Sequence, residues 1–104
     1  MFKYVTKLLA SYNPEINDVS FMTNLKILFA NDECGIDQRG IKSLNLTCLN
    51  VSRNQKINNV SYMSNLKKLN CSGDCGIDQR GIEGLNLTCL NVSRNQKIKF
   101  LNLS

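Results

Sequence analysis

The segment CGIDQRGIKSLNLTCLNVSRNQKI at residues 34–57 returns at 75–98 with only Lys42 and Ser43 exchanged, for Glu83 and Gly84. A period of 41 residues in a chain of 104 constrains the fold more than any other feature, because self-similarity at this spacing belongs to chains that stack copies of one small unit. A shorter rhythm runs inside the long one. Its first apolar position falls at Val5, Leu25, Leu46, Leu66 and Leu87, in steps of 20, 21, 20 and 21. Apolar residues recur at plus three and plus five: Leu8 and Ala10, Leu28 and Ala30, Leu49 and Val51, Leu69 and Cys71, Leu90 and Val92. Alternation of this kind marks a short strand with that pair of side chains on one buried face. Residues 1–104 therefore read as one domain of five repeats, starting near 5, 25, 46, 66 and 87.

Counting back twelve residues from the start of each next repeat gives Asn13, Cys34, Asn54 and Cys75, and similarity to Asn54 adds Asn95. The residue that lengthens alternate repeats lies within Asn31-Asp32-Glu33 and Ser72-Gly73-Asp74, and the same repeats carry Cys in the slot. A buried Asn there gives and accepts hydrogen bonds with backbone groups of a tight turn, and stacking the turns is expected to make a ladder. Past the slot, Ile16, Val19, Met22 and Leu25, like Ile57, Val60, Met63 and Leu66, recur every third position, which suits a 3-10-like or loosely helical return. The other repeats use Ile36, Ile41 and Leu44, or Ile77, Ile82 and Leu85, around Asp-Gln-Arg-Gly, a turn ahead of a short helical piece.

The pattern LxxLxLxxN, carried by Leu46, Leu49, Val51 and Asn54 and again by Leu87, Leu90, Val92 and Asn95, resembles the leucine-rich repeat. Cys34 and Cys75 stand where that family also uses Cys, and the spacing of Ile57, Val60, Met63 and Leu66 is similar to the phosphatase-regulator and internalin subclasses. The Asn- and Lys-rich wording also looks like repeat arrays of giant viruses and amoebae. The resemblance implies an α/β fold: a right-handed solenoid with a parallel sheet on the concave face and short 3-10 or helical turns on the convex face. It also implies binding of a protein partner through the concave face. Val5 and Ala10 make the first repeat weak, and the chain stops after LNLS, so neither end shows a dedicated cap. The expectation is a fragment of a longer array, a truncation, or a protomer whose open end is covered by another chain, and the alternative to partner binding is a structural, self-assembling unit whose uncapped ends stack on other copies or on a longer array.

If the strands alternate as expected, one column facing the concave side is Lys7, Ile27, Cys48, Lys68 and Cys89, and the next is Leu9, Phe29, Asn50, Asn70 and Asn91. The Asn-rich part is either a polar recognition surface or amide stacking that solvates a sheet. Leu9, Ile27 and Phe29 interrupt it as an apolar patch. Candidate partner-binding residues are accordingly Leu9, Tyr12, Ile27, Phe29, Asn50, Arg53, Asn70, Asn91 and Arg94. At the edge, Arg53 is expected one rung from Glu33 and Asp74, and Arg94 one rung from Asp74, as surface ion pairs.

Composition argues against most chemistry. The chain has no His, so the usual general base is missing, and Asp37 and Asp78 are repeat equivalents expected about 10 Å apart, too far for a dyad. No glycine loop cradles phosphate and no CxxC pair occurs, so no cofactor and no metal are expected. The formal charge of +5 comes from 13 basic residues scattered through every repeat, which reads as a solvated surface rather than a nucleic-acid stripe. No signal peptide and no membrane span are read. Asn-x-Ser/Thr sites at Asn45, Asn50, Asn86 and Asn91 arise readily in so Asn-rich a chain. Equivalent cysteines lie two rungs apart, beyond disulfide reach, and reduced thiols suggest an intracellular, cytoplasmic protein, in the host cytoplasm if viral.

Overall fold

The computed structural model describes residues 4–99. Five three-residue strands, β1 (Lys7–Leu9), β2 (Ile27–Phe29), β3 (Cys48–Asn50), β4 (Lys68–Asn70) and β5 (Cys89–Asn91), form one parallel sheet in sequence order. Each strand pairs only with its sequence neighbours, so the chain is a solenoid with one strand per rung. We number the rungs 1 to 5 after their strands. The register brings Leu8, Leu28, Leu49, Leu69 and Leu90 side by side, as the shared repeat pattern requires.

Burial arises from the stacking. A lone rung has nothing to cover its apolar side, and only the rungs before and after it can do so. Leu25, Leu28, Leu46, Leu49, Val51, Ile57, Val60, Met63 and Leu66 are 0–1% exposed. Covering each large side chain is worth about 1.5–3 kcal/mol. At the outer rungs, Val5 and Leu8 on one side and Leu87, Leu90 and Val92 on the other are only half-buried.

The returns divide into two kinds. Rungs 2 and 4 each contain a short 3-10 helix, Arg39–Ile41 and Arg80–Ile82, preceded by an Asp whose Oδ1 accepts a glycine N–H: Gly40 to Asp37 and Gly81 to Asp78, both 2.9 Å. Rungs 1 and 3 differ from the helical return expected from their spacing. Their links are separate turns, closed by Met22 and Met63 N–H to Val19 and Val60 carbonyls and by Leu25 and Leu66 N–H to Met22 and Met63 carbonyls, all 3.0 Å. A residue every third position fills one side of such turns without winding a helix.

A further column links strand to turn: Tyr12, Asp32, Arg53, Gly73 and Arg94 all have φ between 58° and 69°. Since Asp32 and Gly73 align with Arg53, the extra residue of the longer rungs is Glu33 or Asp74, inserted after the left-handed position and before the Cys. Only Gly73 is free of the strain this conformation imposes on residues with a Cβ.

The Asn slot builds half a ladder. Asn54 Nδ2 donates to the carbonyls of Ala30 (2.7 Å) and Ile36 (3.1 Å) in the rung before it, while its Oδ1 accepts from Lys56 N (2.8 Å). Asn95 repeats the arrangement on Cys71 and Ile77 carbonyls. The Cys side chains only accept: Cys34 Sγ from Ile36 N and Cys75 Sγ from Ile77 N. Rungs 2 and 4 instead reach back through the backbone, with Gly35 N–H to Asn13 O and Gly76 N–H to Asn54 O, both 3.1 Å. This approach is close enough to require glycine, since a Cβ on Gly35 would lie 2.1 Å from Pro14 O and one on Gly76 2.7 Å from the carbonyl oxygens of Gln55 and Ile57.

Candidate functional site

Strand register sets the first part of the candidate surface. It aligns Lys7, Ile27, Cys48, Lys68 and Cys89 in one column and Leu9, Phe29, Asn50, Asn70 and Asn91 in the next, as the alternation implies. Leu9 is 62% exposed, and beside it Phe29 and Ile27 are half-buried. The Asn residues of this face also make turns. Their Oδ1 atoms accept from the backbone N–H two residues on, Asn50 from Ser52 (3.0 Å), Asn70 from Ser72 (3.1 Å) and Asn91 from Ser93 (3.0 Å). Such Asx turns carry the chain from strand into the left-handed residue. The carbonyl end of each amide is thus held by its own rung, and no acceptor for the Nδ2 end lies among the described residues.

The second part lies along the strand-to-turn edge, a depression of about 990 Å³ lined by Tyr12, Arg53, Asn91 and Arg94 together with Asp32, Glu33, Gln55 and Asp74. Of the sequence-derived candidates, these first four line it, whereas Leu9, Ile27, Phe29, Asn50 and Asn70 belong to the strand face alone. Asp32, Glu33, Gln55 and Asp74 lie outside the candidate set, Glu33 and Asp74 entering the sequence reading only as ion-pair partners of the arginines. Column counting finds Asp32 once the inserted residue is placed after it.

That placement also corrects the expected ion pairs. Arg53 Nη1 meets Asp32 Oδ1 at 3.1 Å, not Glu33 or Asp74, because Asp32 shares its column. On the other side Arg53 lies along Gly73, whose missing Cβ leaves space for the Arg stem, 3.0 Å from where a Cβ would be. Asp74 accepts from Gln55 and lies 3.9 Å from Lys97 Nζ, and Arg94 has no acidic neighbour in its column. With the basic partner open to solvent in each, these pairs contribute about 0–1 kcal/mol. The result is a mixed-charge rim, with Arg53 and Arg94 set among Asp32, Glu33 and Asp74.

The five thiols are free. Burial raises the pKa of Cys34 and Cys75 and pushes Cys71 up to about 12, so these three stay protonated at neutral pH. Cys48 is half-buried and Cys89 exposed on the strand face, flanking Lys68. Among the described residues no three His, Cys, Asp or Glu side chains are placed to hold a metal ion, and no helix is long and apolar enough to cross a membrane. No family model, no curated protein and no solved structure matches this chain.

Proposed function

We propose that the chain is a non-catalytic protein-recognition module of the leucine-rich-repeat type, a right-handed solenoid that holds a protein partner on a concave sheet face. The observation that carries this reading is the apolar step formed by Leu9, Phe29 and Ile27 on a face otherwise made of Asn, Lys and Cys. A few apolar or charged anchors supply most of the affinity at such surfaces, and strands already fixed by their neighbours lose little freedom when a partner binds. The neighbouring rim of Arg53, Arg94, Asp32 and Asp74 adds charge selectivity rather than strength. The test compares the intact chain with a Phe29→Asp, Arg53→Glu variant in partner capture. The variant is expected to lose the partner while keeping its fold. Capture that survives in a folded variant removes the sheet face as the contact surface.

A second reading is favoured by the outer rungs, where Leu8, Leu87, Leu90 and Val92 remain half-buried although their interior equivalents are covered. In it, the chain is an assembly unit whose ends are covered by further repeats. Light scattering over a concentration series tests stacking between copies. A strict monomer at high concentration argues against it.

A further inference from the structure

Residues 44–57 and 85–98 are identical in sequence, so rungs 3 and 5 offer the same groups to the next unit along the stack. For rung 3 that unit is rung 4. Asn54 O accepts from Gly76 N, Val51 and Arg53 N–H donate to the carbonyls of Asn70 and Ser72, and Val60 N–H donates to Gly81 O. The fit depends on two glycines separated by four residues. A Cβ on Gly76 would stand 2.7 Å from Gln55 O, and one on Gly81 2.3 Å from Asn58 O. On rung 5 the matching groups, Asn95 O and the N–H groups of Val92 and Arg94, have no backbone partner among the described residues. Leu87, Leu90 and Val92 are half-buried there, against 0–1% exposure for Leu46, Leu49 and Val51.

A second copy placed head to tail does not satisfy this edge. Its first rung has Pro14 in the position of Gly35 and Gly76. Proline has no N–H to give Asn95 O, and its ring would occupy the space that only glycine leaves open. The occupant that does fit is already visible inside the molecule. We infer that the outer edge of rung 5 is a docking surface for a repeat unit of the CGIDQRG type. This rests on the second reading above, that the ends are covered, and it names the chemistry of the covering unit: a strand, then Gly-x4-Gly apposed to the turn, with a glycine N–H aimed at the slot carbonyl.

The probe is a synthetic peptide of residues 66–86, added under reducing conditions to the intact chain and monitored by the backbone amide resonances of residues 87–98. Saturable shifts in that segment are expected. The same peptide carrying Gly76→Val and Gly81→Val should bind at least tenfold more weakly. The inference is overturned if the parent peptide leaves residues 87–98 unmoved or if the valine peptide binds as well as the parent. If the chain alone associates with concentration-dependent shifts in 87–98, the occupant is a second copy. The inference then fails while the second reading stands. A chain that stays monomeric and ignores the peptide removes both.

Discussion

Rungs 3 and 5 share their sequence from the leucine before the strand to the isoleucine after the slot, yet they do not share an environment. Leu49 is 1% exposed and Asn54 1%, whereas Leu90 is half-buried and Asn95 7% exposed. Since the residues are the same, the difference comes wholly from having a rung on each side or, among the described residues, on one. Burial in this molecule belongs to the interface between rungs rather than to the rung. It also has a direction: the side chain of a slot Asn reaches only backwards, so the open side of rung 5 costs that amide little, while the leucines that look both ways lose part of their cover.

The comparison is open to direct attack. The largest expected effect is on the shared leucine: Leu49→Ala should cost about 3–5 kcal/mol in denaturant unfolding and Leu90→Ala about 1–2. Equal costs would mean that rung 5 is as covered as rung 3. Next come the slots, where Asn54→Ala and Asn95→Ala should each cost about 2–3 kcal/mol, because each leaves two buried carbonyls without a donor in the preceding rung. A much smaller loss at Asn95 would show that the backward bonds weaken with the rung's exposure. Thiol labelling under native conditions should modify Cys89 several-fold faster than its equivalent Cys48, and Cys34, Cys71 and Cys75 only on unfolding. The smallest effect concerns one of the two positions at which segments 34–57 and 75–98 differ. Ser43 holds φ 69° where its counterpart Gly84 holds φ 80° in open space, so Ser43→Gly should stabilise by about 0.5 kcal/mol, the relief of strain being partly offset by the freedom glycine gains when unfolded.

The strands, their register, the buried pairs of rungs 2 to 4 and the slot residues were legible because a parallel stack forces equivalent residues into columns, and columns are visible in the spacing. What the spacing did not carry was backbone conformation. The left-handed turn residue is Tyr, Asp, Arg or Gly from rung to rung, so no residue type announced it. Spacing alone therefore locates the insertion only to within three residues and sets Arg53 beside Glu33 and Asp74 instead of Asp32. Spacing of three suited a helix and separate turns equally, and hydrogen bonding chose the turns in rungs 1 and 3. The candidate site divided for a similar reason. Strand columns were readable and gave Leu9, Ile27, Phe29, Asn50 and Asn70, while the edge depression depends on turns and drew in Asp32 and Gln55.

The glycines after Cys34 and Cys75 have an implication for how such a chain lengthens. Copying a short rung in place would set Gln55 where Gly76 now approaches the neighbouring carbonyls, and its side chain would force the turns apart. Copying a long rung alone would set one thiol slot behind another, with no amide to reach back to the carbonyls between them. Duplication of the short and long rungs together meets neither obstacle. The molecule is modular in pairs, and the unit that can repeat without either obstacle is the 41-residue doublet.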